Sequence, residues 1–584
     1  MKKENLKKLI KVSAGKTLAD LVIKNCKVID VYNGVIIEGD IAISDNLIAG
    51  IGKYDGEKVI DANGKYAAPG LIDSHIHIES SYLSPEELGR LIVPRGTTTI
   101  IADPHEITNV CGLKGVDYMI NAAKGTTLDV QMMLPSCVPA TPMEHSGAII
   151  NAKDMIEPMD SGNILGLGEF MNFPGVIEAH DDILDKILVA KNRGKVIDGH
   201  SPGLYGNALN AYAAASIKTD HECSTVEEMH DRISRGLYVM LRQGSACHNL
   251  RELAKGITPY NSKRCLLCAD DMQPKTILSV GHLDNSLRIC VEENINPITA
   301  IQMATLNAAE CYGLKDRGAI APGLKADIIL FDTLKDFNVD NVFIDGVEVA
   351  KDGKYKLPIS FYDISDTRGS FHVKDFSIEK LSLKINSNKA YAINILPGGV
   401  VTGKEVVSIK RDENNEFIYD ASEDVVKVAV VERHQNTGNV AVALLKGYGI
   451  KEGAIALSVS HDSHNIIVVG VNDEDMAFAV EELIKQGGGF ILVSNKNILE
   501  NIPMPIGGIM SDQNGEWVDK KLTNIHKIAH ETLKVNKDVE PTMTLCFMSL
   551  AVIPELKLTD MGLFDVRKFK FIKVEAEDSK GKEM

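Results

Sequence analysis

The 584-residue chain has no apolar run near the roughly 20 residues that span a bilayer; stretches such as Ile466–Val471 stop far short. Met1 to Lys16 is rich in Lys but lacks an apolar core of signal-peptide length. Nor is there an excess of cations. Lys+Arg 63 against Asp+Glu 80 leave a net charge of −17, the wrong sign for gripping a phosphate backbone. Neither nucleic acid nor a membrane is an expected partner, and a small molecule is favoured. The ten cysteines form no disulfide framework, as expected of reduced thiols in a cytoplasmic protein. Cys265 and Cys268 make a C-x-x-C, but inside an apolar run that reads as a strand, where their side chains leave opposite faces. No second Cys pair accompanies them, so buried thiols are expected there rather than zinc. No G-x-G-x-x-G follows an early strand and no P-loop occurs, which weakens a doubly wound nucleotide-binding sheet.

What is present is an ordinary folding composition, 44% hydrophobic and 24% charged, in a chain long enough for about two to four domains. Residues 18–66 alternate short apolar runs with turn signals such as Asn33-Gly34, and residues 327–354 do the same around Asp345-Gly346. Two such segments flanking a long middle predict one small β-sandwich (residues 1–66 and 321–360). Between them, short β-like runs (Thr98–Ala102, Val130–Leu134, Ile164–Gly168, Val196–Asp198, Cys265–Ala269) alternate with helical stretches (Ser84–Arg90, His180–Ala190, Pro297–Tyr312). This rhythm predicts a (β/α)8 TIM-like barrel over 67–320. After the polar Asp363–Arg368, strands at Val425–Val431, Asn439–Leu444, Ile466–Val471 and Phe490–Val493 with a helix at Asp473–Gln486 predict a C-terminal α+β domain over 372–584. Lys-rich 570–583 reads as a solvated tail.

The most informative segment runs from Pro69 to His77. An apolar strand ends in His75-Ile76-His77, and at a strand's spacing of two both imidazoles leave one face and converge on one point, as a metal requires. Glu169 follows Ile164–Gly168, His200 follows Val196–Gly199, His221 ends Thr219-Asp220-His221, and Asp270 follows Cys265–Ala269. A barrel gathers its strands' C-terminal ends on one face, where active sites are built. His75, His77, Glu169, His200, His221 and Asp270 on that face suffice for two divalent cations, with Glu169 bridging. The remaining histidines, among them His145, His230, His282 and His434, read as hydrogen-bonded structural residues or receive no assignment.

Pro-Gly-Leu-Ile-Asp-x-His-x-His, His200, His221 and strand-end Asp270 resemble the amidohydrolase superfamily. Thr305–Glu310 followed by Gly318–Asp327 resembles its return from barrel to sandwich. Within it, His75–Tyr82, Asp103-Pro104-His105-Glu106 and His461-Asp462-Ser463-His464-Asn465 are similar to the bacterial adenine deaminase family over nearly the whole chain. The resemblance implies a metal-dependent aminohydrolase turning adenine and water into hypoxanthine and ammonia. It also implies Glu169 as a ligand where many binuclear relatives carry a carboxylated Lys. Mn²⁺, Fe²⁺ or Zn²⁺ suit imidazole and carboxylate donors. The runner-up readings are another barrel hydrolase, such as an N-acetylglucosamine-6-phosphate deacetylase or a cyclic amidase, and a catalytically silent scaffold. A homo-oligomer is the base-rate expectation.

Two divalent cations sharing a solvent molecule lower its pKa toward neutrality. Asp270 is the expected base, taking the solvent's proton and delivering it to the ring or the leaving amine; Asp271 beside it is a candidate for orienting a ligand or contacting substrate. Two readings stand open for Asp103, His105 and Glu106: contacts to the purine, with His105 alternatively holding a further metal, or an acidic helix N-terminus. His461 and His464 likewise either reach over the barrel mouth to the substrate or form a hydrogen-bonded turn.

Overall fold

The computed structural model describes residues 2–576. The middle of the chain contributes parallel strands β1 (Leu71–Ile76), β2 (Thr97–Ala102), β3 (Asp129–Leu134), β4 (Ile164–Phe170) and β5 (Val196–Gly199) to one sheet in the order β5-β4-β3-β2-β1. Strands β6 (Thr219–Asp220), β7 (Tyr238–Arg242) and β8 (Cys265–Cys268) form a second parallel sheet. Runs such as Thr97-Thr98-Thr99-Ile100-Ile101 are β-branched and buried on both faces, as strands covered by helices on one side and a core on the other require. The two sheets are joined at both ends. Lys218 N donates to Ile197 O at 2.8 Å, while Asp270 N donates to His75 O at 2.9 Å and His77 N to Asp270 O at 3.2 Å. The second junction carries function, because it brings the end of β1 against the residues that follow β8.

Strands from both flanks share one nine-stranded sheet. Ile328–Phe331 pairs antiparallel with Tyr66–Pro69, so the chain leaves for the middle segment and returns from it on neighbouring strands. One face packs Ile23, Val28 and Ile41 against Ile328, Leu330 and Phe343, and the other is covered by helix Lys3–Ser13 through Leu9 and Val12. The C-terminal segment builds an eight-stranded sheet with helix Asp473–Gln486 packed on it. Its core is continuous with that of the middle segment, where Tyr82 packs edge-on against Phe490 with ring centroids 5.4 Å apart.

Two expectations need correction. Pro297–Tyr312 is two helices, Pro297–Met303 and Leu306–Tyr312: the Thr305 hydroxyl bonds back to Ile301 O at 2.6 Å, and Ala304 O accepts from Ile72 N in β1 at 2.7 Å instead of continuing the helix. The segment 570–576 is no free tail, since Tyr391 N donates to Val574 O at 2.7 Å and Ala576 N to Lys389 O at 3.1 Å; residues 577–583 of that expectation lie outside the described residues. Cys265 and Cys268 do lie on one strand and enter different core clusters, and burial pushes the Cys265 thiol up to about 12. All ten cysteines are free. No helix among the described residues is long and apolar enough to cross a membrane.

Candidate metal centre and active site

Each of the six residues expected to bind metal sits at or just beyond the C-terminal end of a strand, and the structure brings all six together. His75 Nε2 and His77 Nε2 are 3.1 Å apart, with Asp270 Oδ1 at 3.5 and 3.3 Å from them. Glu169 Oε1 is 3.4 Å from His77 Nε2. On its other side, Glu169 Oε2 lies 2.8 Å from His200 Nδ1 and 3.1 Å from His221 Nε2. Glu169 thus stands between a His75–His77–Asp270 group and a His200–His221 group.

The supporting contacts fix which atoms face inward. His77 Nδ1–H donates to Asp103 O at 3.0 Å, which leaves the Nε2 lone pair free. The Asp73 carboxylate accepts from His75 N at 3.2 Å and Ala269 N at 3.1 Å, tying β1 to the strand that delivers Asp270. Tyr212 Oη accepts from His200 N at 2.9 Å, and Arg232 Nε holds Asp220, beside His221, at 3.0 Å. Asp103 Oδ2 accepts from Glu169 N at 2.8 Å; Gly168 makes this approach possible, because a Cβ there would stand 2.2 Å from that oxygen. Asp270 itself adopts φ 61°, a left-handed conformation that Asp tolerates better than most residues.

These donors fit a divalent metal centre. Buried imidazole nitrogens converge on shared carboxylate oxygens, and two triads, His75–His77–Asp270 and His75–Glu169–His221, have all ligand atoms within 4.8 Å of one another. Burial opposes charge on Glu169, but the His200 and His221 imidazoles outweigh it and hold the carboxyl well below its ordinary range. Burial likewise opposes charge on Asp270, and His75, His77 and Arg242 override it in the same direction. Asp271 goes the other way, pushed up by burial and the charge of Asp270; Ser80 Oγ donates to its Oδ1 at 2.5 Å.

The Asp103–Glu106 segment borders this cluster. His105 Nδ1 is 3.3 Å from Glu169 Oε1, and its Nε2 is 3.4 Å from Glu106 Oε1. Buried His105 Nδ1 and Asp103 Oδ1 have no hydrogen-bond partner. Helix His105–Cys111 does start here with Glu106 in its first turn, but no side chain caps it: Pro104 holds the cap position and the Asp103 carboxylate turns to Glu169 N instead. The His461–Asn465 loop also reaches the site: His461 Nδ1–H donates to Glu106 Oε1 at 2.6 Å, and His464 Nε2–H donates to Glu106 Oε2.

Sequence reasoning passed over Arg242 and Glu222. Arg242 Nη1 bonds Glu222 Oε1 at 2.5 Å and Asp270 Oδ2 at 3.0 Å, and Glu222 Oε1 lies 3.5 Å from His200 Nδ1 and 3.4 Å from His221 Nε2. The apolar run Leu237–Leu241 ending in Arg was an available strand signal, and Glu222 directly follows His221. Buried Glu144, with both carboxylate oxygens unpartnered, carried no signal at all.

Comparison with known proteins gives this arrangement its class. Residues 66–349 match the amidohydrolase family, and residues 399–570 match the adenine deaminase C-terminal domain. Over 576 residues the chain is 71% identical to adenine deaminase 2 of Desulfotalea psychrophila, covering 99% of this chain and 100% of that one. It is 53% identical to an adenine deaminase of Ligilactobacillus salivarius and 46% identical to one of Clostridium acetobutylicum, covering 99% and 95% of this chain and 100% and 97% of theirs. The chain belongs to the adenine deaminase family of the amidohydrolases.

Proposed function

We propose that this chain hydrolyses adenine to hypoxanthine and ammonia with two divalent cations, Mn²⁺, Fe²⁺ or Zn²⁺, held by His75, His77, Glu169, His200, His221 and Asp270. The observation that carries the reading is the placement of Glu169 between two imidazole groups, with Oε1 facing His77 and Oε2 facing His200 and His221. Such cations supply Lewis acidity and make a shared solvent molecule acidic near neutral pH. Everything else is the protein's work. Asp270 takes the solvent's proton and passes it to the departing amine. Arg242 holds the other Asp270 oxygen, fixing the direction in which the carboxylate faces. Asp103 and His105 serve the purine's polar edge, with Asp271 and His461 further round the same space, and Glu106 and His464 behind His461. The orphaned His105 Nδ1 and Asp103 Oδ1 are the atoms best suited to a bound ligand.

This reading treats β1–β8 as one closed (β/α)8 barrel over 67–320, flanked by a β-sandwich from 1–66 and 321–360 and completed by an α+β domain over 372–584. It also takes the protein as a cytoplasmic homo-oligomer with no nucleic-acid or membrane partner. The test is ammonia release by protein loaded with each metal and offered adenine, adenosine, AMP, cytosine and N-acetylglucosamine-6-phosphate in parallel. Hypoxanthine from adenine alone is expected. Faster turnover of adenosine, or acetate from the amino sugar with adenine untouched, overturns the assignment.

A further inference from the structure

The Glu106–His461–His464 cluster joins the C-terminal domain to the first turn of helix His105–Cys111, and its three donor atoms are close enough to hold a third metal. The tautomers argue against that. Ser460 N–H donates to His464 Nδ1 at 3.1 Å, so this nitrogen carries a lone pair and the proton of the neutral ring sits on Nε2, where it is given to Glu106 Oε2. A protonated nitrogen cannot bind a metal. Burial keeps His464 neutral, with its pKa lowered to about 4.

His461 is prepared differently. Its backbone is fixed by His461 N donating to Cys546 O at 3.1 Å and by Ser549 Oγ donating to its carbonyl at 3.1 Å, and its ring lies nearly parallel to Phe547 at 4.8 Å between centroids. Nδ1–H is committed to Glu106, whereas Nε2 makes no hydrogen bond among the described residues. The charged and titratable groups around it are Glu106, Asp271 and Asp462, with neutral His464 behind. Burial opposes its charge, but Glu106 leads the carboxylates in raising it to about 9. His461 Nδ1 shares Glu106 Oε1 with His105 Nε2, which is 3.4 Å from it, and His105 Nδ1 is 3.3 Å from Glu169 Oε1, so the ring stands on the border of the active site.

We propose that His461 is the acid that protonates the purine ring, and that Glu106 and His464 are its positioning residues; this rests on the adenine reading above. As the solvent oxygen forms its bond to C6, the C6–N1 π pair moves onto N1 and takes the Nε2 proton of His461, while the first solvent proton goes to Asp270. When the C6–amine bond breaks, its electron pair leaves with the amine, which takes the proton from Asp270. The second solvent proton returns to His461 as the carbonyl forms. One water is consumed, one ammonia leaves, and both side chains are regenerated.

The test uses full-length, metal-loaded His461→Gly beside the parent, reading ammonia release from adenine, metal per chain, circular dichroism and rescue by added imidazole. The expected loss is about 10²–10⁴-fold in turnover at parental metal content and fold. Imidazole should restore about tenfold or more, and the rescued rate should fall as pH rises and imidazolium is lost. Glu106→Gln, which removes the charge but keeps the shape, should move the basic limb of the parent's turnover profile to lower pH. Turnover of the Gly variant within about threefold of the parent, failure of imidazole to rescue a folded and metal-loaded variant, or loss of one metal per chain would each overturn the assignment. A parent that does not deaminate adenine would instead sink the functional reading itself.

Discussion

Asp270→Asn separates proton transfer from metal binding at the residue proposed to do both. Asp270 Oδ1 stands 3.5 and 3.3 Å from the His75 and His77 nitrogens, and Oδ2 is 3.0 Å from Arg242 Nη1. Asn has the same shape and tolerates the left-handed φ of 61° found here, so the backbone should persist. Its amide oxygen can keep the Arg242 bond, but its NH2 then faces the imidazoles and cannot accept the solvent's proton. Losing that transfer should lower turnover by about 10²–10⁴-fold, or about 2.7–5.4 kcal/mol of barrier. Weaker metal binding adds a second loss, which the assay must remove. Ammonia release is therefore measured over a metal titration, with metal per chain determined at each point. Turnover within a few-fold of the parent at full metal content refutes the base assignment, and so does full recovery of activity on metal addition alone.

Three further outcomes are expected. Chelation should abolish ammonia release and lower the melting temperature, both restored by Mn²⁺, because the clustered carboxylates lose the cations that offset their mutual repulsion; unchanged melting after verified metal removal would contradict this. Truncation after residue 365 should inactivate the enzyme, since it deprives Glu106 of both histidines and strips Tyr82 of Phe490; a soluble, metal-loaded, fully active fragment would show the C-terminal domain to be dispensable. Lys557, fully buried and bonded to Val400 O and Phe547 O at 2.7 and 2.9 Å, has its pKa lowered by burial to about 7 against an ordinary 10.5. Between those values the unfolded chain binds the extra proton, so this group makes stability rise with pH, by about 2 kcal/mol from pH 7 to 9. Lys557→Met should lose that slope in parallel denaturant titrations, and identical slopes would place the amine in a less buried setting.

The His, Glu and Asp cluster proposed to hold metal was readable from sequence because each contributor announces itself locally. His75-Ile76-His77, Glu169 and Asp270 each close an apolar run, and neighbouring parallel strands bring such closings to one rim. The C-terminal elements were equally plain: helix Asp473–Gln486 appears with the expected bounds, started by the Asn472 side chain and stopped by Gly487 in a left-handed conformation. Pro297–Tyr312 defeated local reasoning because its break comes from a tertiary bond, the Ile72 amide drawing off the Ala304 carbonyl.

The same distinction divides the rest of the site. For Asp103, His105 and Glu106, helix N-terminus and active-site readings were equally compatible with the sequence; the fold puts Glu106 in the first turn of a helix that no side chain caps, and His105 Nδ1 3.3 Å from Glu169 Oε1. The role of Glu106 depends on His461 and His464, 355 and 358 residues away. No periodicity or spacing carries information across that separation. What makes the pairing consequential is the asymmetry between its two imidazoles. Burial keeps His464 neutral and a backbone N–H at Nδ1 fixes its tautomer, while His461 takes up charge beside the carboxylate they share. Two histidines three residues apart on one buried Glu thereby take opposite protonation states, because burial outweighs that carboxylate at His464 while the carboxylates outweigh burial at His461.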